Sequence, residues 1–165
     1  MSPFRLFIYS LITKFMPPTR CFGLKRHLLR WAGAEIGDNV RICSSVNIIG
    51  NGALRIGNNT WIGHESIIMC SSDISIGADC DIAPRVYIGN GTHKITPDLD
   101  KIAGIDINKD IKIGNGVWIC VNSTILPGVT IGRKCVVAAG GVVTKSIPEY
   151  SLAAGCPAIV KKNLY

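Results

Sequence analysis

From residue 36 onward a branched apolar side chain returns at six-residue steps, in sets of three. The register runs Ile36, Ile42, Ile48; Ile56, Ile62, Ile68; Ile76, Ile82, Ile88; Ile113, Ile119, Ile125; and Ile131, Val137, Val143. Six residues of extended chain span about 20 Å, at roughly 3.3 Å per residue. Three such steps close a triangular coil with one branched side chain pointing inward from each face. A single coil cannot bury its apolar side alone, whereas stacked coils align those side chains in columns. The pattern predicts an all-β chain, a parallel β-helix of about five to six coils.

The residue after most inward positions is small, often the glycine of an Ile-Gly pair such as Ile56-Gly57 or Ile113-Gly114. The chain turns a corner there, where a larger side chain would collide or forbid the backbone angles required. Small or branched residues recur four positions after the inward one, as at Ser66, Cys80, Val86, Ser123 and Cys135. Coil spacing also carries information. Ile36 to Ile56 and Ile56 to Ile76 are each 20 residues, two beyond 18, with the extra pairs falling near 50–55 and 71–75. Ile113 to Ile131 is 18, but Ile76 to Ile113 is 37, which fits two coils only if a segment leaves the prism. That segment, about 94–110, is polar and lacks the repeat, and a long excursion from a compact fold is usually functional.

The chain divides into an N-terminal appendage, 1–33, and the β-helix with its C-terminal tail, 34–165. Its net charge of +7 is uneven: residues 1–33 hold six basic and no acidic side chains, and the remainder holds twelve and eleven. A nearly neutral body argues against a nucleic-acid footprint along the helix. In the appendage, Phe4, Phe7, Ile8, Leu11, Ile12 and Phe15 form one helical stripe, ended by Pro17-Pro18, and a second helix is expected over about 24–31. These helices fit a cap over the open end of the prism. Residues 1–18 also have the chemistry of an interfacial helix on an anionic membrane, too short and charged to span it. There is no apolar core with a cleavage site to suggest a signal peptide.

The seven cysteines are odd in number and contain no Cys-x-x-Cys; Cys43, Cys80, Cys120 and Cys135 occupy small slots of the hexad. They read as small core residues in a reducing compartment, which places the chain in the cytoplasm, at most peripheral at the inner membrane face. Three histidines remain. His27 falls in the second helix with a surface or packing role, and His64 at an outward, solvated corner. His93 ends the third coil where the repeat breaks, so a loop could wall in a pocket beside it. Three scattered histidines do not supply the converging ligand set of a zinc prism, and no metal is expected.

The stretches Trp118-Ile-Cys-Val-Asn-Ser-Thr-Ile-Leu-Pro-Gly-Val-Thr-Ile-Gly, Ala138-Ala-Gly-Gly-Val-Val-Thr-Lys-Ser-Ile-Pro and Ala154-Gly-Cys-Pro-Ala resemble the hexapeptide-repeat acyltransferases. Over roughly 35–162 the chain is similar to galactoside and maltose O-acetyltransferases and to O-acetyltransferases of bacterial surface-polysaccharide clusters. The resemblance implies a left-handed β-helix, against the usual crossover hand, and a homotrimer with three active sites between neighbouring prisms. It implies acetyl-CoA as co-substrate and a sugar hydroxyl as acceptor, in capsule, O-antigen or exopolysaccharide biosynthesis. The catalytic histidine of the family falls on His93, a general base for direct attack of the hydroxyl on the thioester, worth about 10² to 10⁴ in rate. Coenzyme positions fall on Val121, Ala139, Thr144, Lys145 and Lys162, where the two ammonium groups suit phosphates. Trp118 matches an aromatic near the acceptor groove.

Two positions depart from the family pattern: Val121, where a small polar residue is common, and Cys156, where Asn or Val is frequent. The hexads do not distinguish an N-acetyltransferase acting on a sugar nucleotide, and a non-catalytic scaffold is the alternative of another class. Serine acetyltransferases carry a large helical domain that 33 residues cannot supply. If residues 1–18 bind membrane, a lipid-linked glycan becomes the favoured acceptor.

Overall fold

The computed structural model describes residues 1–165. Two helices, α1 (Pro3–Lys14) and α2 (Phe22–Trp31), precede the coils. The first coil is β1 (Glu35–Ile36), β2 (Arg41–Ile42) and β3 (Asn47–Ile49); the second is β4 (Leu54–Ile56), β5 (Trp61–Ile62) and β6 (Ile67–Met69). The third, β7 (Ile74–Ile76), β8 (Asp81–Ile82) and β9 (Tyr87–Gly89), leads into a hairpin of β10 (Gly91–Ile95) and β11 (Ala103–Asn108). The prism resumes with β12 (Ile111–Ile113), β13 (Trp118–Ile119) and β14 (Thr124–Ile125), then β15 (Thr130–Ile131), β16 (Val136–Val137) and β17 (Val142–Val143). A partial sixth coil follows, with a bridge at Ile147 and β18 (Ser151–Ala154), and β19 (Ile159–Asn163) closes the end antiparallel to β18.

The strands stack into three parallel sheets, and the register is the one read from the hexads. On the first face Ile36, Ile56, Ile76, Ile113 and Ile131 are successive partners; on the second, Ile42, Ile62, Ile82, Ile119, Val137 and then Ala153. The third aligns Ile48, Ile68, Ile88, Ile125 and Val143. All fifteen inward positions predicted from the sequence are buried in one core. Each buried isoleucine contributes about 1.5–3 kcal/mol relative to exposure. The extra residues of the first coils add another inward column, Leu54, Ile74 and Ile111.

The 37-residue interval is one coil, not two, because β7 pairs directly with β12. The surplus forms the hairpin, which begins at Gly91 rather than Lys94, so His93 lies inside its first strand. The corners also differ from expectation. The small residue after an inward position answers to collision alone: a Cβ on Gly57 would sit 2.5 Å from Ala78 N in the next coil. The left-handed backbone falls two residues later, at Asn39, Asn59, Asp79, Gly116, Lys134 and Tyr150. At Gly50 both demands meet, since φ is +109 and a methyl group there would collide with Cys70 O. The small polar slots act as rungs between coils. Thr60 Oγ1 donates to Gly77 O (2.8 Å), Cys80 Sγ to Gly114 O (3.1 Å) and Cys135 Sγ to Pro148 O (2.9 Å).

Both helices pack on the first coil, α1 against β3 and α2 against β1 and β2, and cover its open end. The predicted apolar stripe of α1 is not the face that packs. Leu6, Tyr9 and Thr13 are buried, while Phe4, Phe7, Leu11 and Phe15 are exposed. The Met1 ammonium donates to Asn51 O and Gly52 O, and Lys25, fully buried, donates to Pro18 O and Ile42 O. No helix is long and apolar enough to cross a membrane.

Candidate active site

The hairpin is rooted by Asn90, which is fully buried. Its Oδ1 accepts from the backbone N–H groups of Ser71 and Ser72, and its Nδ2 donates to Ser72 Oγ and Asp73 O. This ties the third coil's exit to the corner of the second. Two residues beyond the root is Thr92, and then His93, whose strand partner is Asp106. His93 Nδ1 lies 3.0 Å from Asp106 Oδ1 and 3.1 Å from Gly104 O. Both partners are acceptors, so Nδ1 carries the proton and Nε2 is left as the basic nitrogen. The side chain is half exposed, at 54%, and lines a cleft of about 330 Å³. Asn51, Met69, Ser71, Thr92, Asp106 and Asn108 complete its walls. The arrangement can take a proton from a hydroxyl entering the cleft while Asp106 and Gly104 fix the ring.

The other predicted residues fall into two sets. Thr144 and Lys145 are exposed just after β17, at the corner that also carries the hairpin two coils earlier. Val121 and Ala139 stack at the preceding corner, where Gly140 N donates to Val121 O (2.9 Å). Trp118, 53% exposed, points outward from the second face; Lys162 pairs with Leu152, in register with Val136 and Trp118 on that face. Ala139 and Lys145 stand at opposite ends of one prism edge, about 20 Å of extended chain apart. A single prism therefore holds His93, Thr144 and Lys145 along one corner and Val121, Ala139, Trp118 and Lys162 around another.

The cleft residues Asn51, Ser71, Asp106 and Asn108 were not read from the sequence. Asp106 lies thirteen residues from His93, and only antiparallel pairing across the hairpin brings them together. The remaining histidines stand elsewhere. His27 is exposed on α2, and His64 is half-buried rather than fully solvated. Its Nδ1 is 3.2 Å from Ser45 Oγ, in a separate cleft beside the end of α1. No group of three or more His, Cys, Asp or Glu side chains is placed to hold a metal ion.

A three-sided parallel solenoid with a hairpin breaking its third coil defines the class of hexapeptide-repeat transferases, and comparison with known proteins agrees. Residues 110–145 match the family model described as bacterial transferase hexapeptide (six repeats), and 46–90 match that of the hexapeptide repeat of succinyl-transferase. The galactoside O-acetyltransferase of Lactococcus lactis subsp. lactis is 33% identical over 138 residues, 83% of this chain and 66% of that enzyme's length. The Escherichia coli acetyltransferase WcaF, named for colanic acid biosynthesis, is 34% identical over 143 residues, 87% of this chain and 76% of its own. The hexapeptide-repeat acetyltransferase VCA0836 of Vibrio cholerae, solved with acetyl-CoA, superposes with a TM-score of 0.80 at 25% identity, covering 99% of this chain and 87% of that one. The chain belongs to the hexapeptide-repeat acetyltransferase family.

Proposed function

We propose that the chain transfers acetyl from acetyl-CoA to a sugar hydroxyl in the making of a bacterial surface polysaccharide, with His93 as general base. The observation that carries this reading is His93 itself: its Nδ1 faces two acceptors, 3.0 and 3.1 Å away, in the cleft where the repeat is interrupted. Nε2 takes the acceptor's proton as its oxygen attacks the thioester carbonyl. The tetrahedral intermediate then collapses with expulsion of the coenzyme thiolate, which recovers that proton. No covalent enzyme intermediate is required. Asn51, Ser71 and Asn108 offer polar contacts for a polyhydroxylated acceptor.

Thr144, Lys145 and Lys162 are the coenzyme-binding side chains in this reading, with the ammonium groups against phosphates; Val121 and Ala139 act through their main chain, and Trp118 borders the groove. Their division between two corners favours a site shared by neighbouring prisms, hence a homotrimer, and the reaction belongs in the cytoplasm, where acetyl-CoA is made.

The test is acetyl transfer to a panel of glycans and nucleotide sugars with labelled acetyl-CoA. His93→Ala should lower turnover by about 10² to 10⁴ without loss of fold. Lys145→Ala should weaken coenzyme binding about tenfold in calorimetry, the scale of one charge-assisted hydrogen bond. Unchanged turnover in His93→Ala removes the general-base assignment. Acetylation of amines alone turns the reading to N-acetyl transfer, and absence of acetyl-CoA binding returns it to a scaffold.

A further inference from the structure

Helix α1 is held to the first coil by one face and presents the opposite face to solvent. Leu6, Tyr9 and Thr13 are 4%, 1% and 2% exposed, whereas Phe4, Phe7, Leu11 and Phe15 are 70%, 62%, 47% and 85% exposed. At 100° per residue the two sets point in opposite directions about the helix axis. The exposed set is three phenylalanines and a leucine along about 18 Å of helix, a length of apolar surface that water solvates poorly. Its orientation is fixed rather than floppy. Ser2 N donates to Ala32 O, Arg5 Nη1 donates to Trp31 O, and the Met1 ammonium is bound by Asn51 O and Gly52 O.

Charge says what covers this face. Residues 1–33 hold six basic side chains and no acid, against twelve and eleven in the rest. Lys25, Arg26 and Arg30 are spent on backbone carbonyls of the first coil. The side chains of Lys14 and Arg20 are exposed and make no hydrogen bond or ion pair with the rest of the chain, one flanking the aromatic face and the other just past the end of α1. A second copy docked face to face would bring these cations against their like. An anionic leaflet answers both features at once, taking the aromatic rings at the headgroup level and the ammonium and guanidinium groups against phosphates. We infer that α1 lies flat on an anionic phospholipid surface through Phe4, Phe7, Leu11 and Phe15, with Lys14 and Arg20 as its electrostatic contacts. The inference is independent of the acetyl-transfer reading, since none of the side chains it lays against lipid lines the His93 cleft.

The test is co-sedimentation of the full chain with vesicles of phosphatidylcholine alone or mixed with phosphatidylglycerol. Binding is expected to the mixed vesicles only, and to weaken with salt. Phe4→Ser/Phe7→Ser/Phe15→Ser should lower the partition coefficient by about tenfold or more, and Lys14→Glu/Arg20→Glu should do so by a similar factor. Both sets of side chains are exposed, so melting curves and subunit count by light scattering should not move. Failure to bind mixed vesicles overturns the inference, as does binding that ignores lipid charge. A change of subunit count in the triple serine variant also overturns it, by making the face an interface between copies. Should that variant melt early, the charge-reversal pair decides alone.

Discussion

His93 is oriented through one ring nitrogen by two unequal partners, a carboxylate and a backbone carbonyl. Removing the carboxylate leaves Gly104 O in place, so the imidazole loses alignment rather than its proton address. Asp106→Ala is therefore expected to lower turnover by up to about 10²-fold, less than loss of the base itself, with coenzyme binding unchanged in calorimetry. Equal losses in Asp106→Ala and His93→Ala would deny it an orienting role. A second residue-scale prediction concerns the buried thiols. Burial pushes the Cys70 thiol from its ordinary 9.0 up to about 11, and Cys43, Cys80, Cys120 and Cys135 are raised for the same reason. Between those two values the unfolded chain releases the Cys70 proton while the folded chain keeps it. The folded state thus binds more protons, and stability falls as pH rises through the window, by roughly 2 kcal/mol for this group. Thermal melts across pH 9 to 11 should show that decline, and Cys70→Ala should make it shallower; an unaltered slope would exclude Cys70 as its source.

At the scale of elements, the inward columns were legible because a six-residue period on a triangular coil leaves one register that buries every branched residue. What was not legible depends on contacts the period does not encode. The pairing of His93 with Asp106 follows from where the hairpin turns. The α1 stripe was visible as a stripe, but β3 selects the other side, because Leu6 and Tyr9 fit against the first coil. The partial sixth coil falls within the expected five to six, but its register was not legible, because Ile147 follows Val143 by four residues and the next inward residue is Ala153, too small to read as part of the hexad. The hairpin is also separable. Since β7 already pairs with β12, replacing residues 92–107 with a short turn should leave the prism folded, with its melting temperature moved by no more than a few degrees, and should abolish acetyl transfer. A collapsed melting temperature would make the hairpin part of the scaffold.

Over the whole molecule, the two sets of proposed site residues occupy neighbouring corners of one prism and cannot meet within it. If neighbouring copies supply them jointly, co-expression of His93→Ala and Lys162→Ala chains should yield mixed assemblies in which some sites draw an intact residue from each. Activity well above either variant alone is the expected outcome, and none above the sum would assign both residues to one chain's site. The order of amino acids alone specifies the prism, its register, its interruption and the histidine at the break, because hexad periodicity is a local property and a break in it has a position. Which carboxylate stands beside that histidine, which face of α1 is buried and how far apart the site residues lie are decided by the folded chain. Those depend on pairing across a hairpin, on the shape of one coil's end and on the width of a prism face, which bring together residues distant in the chain.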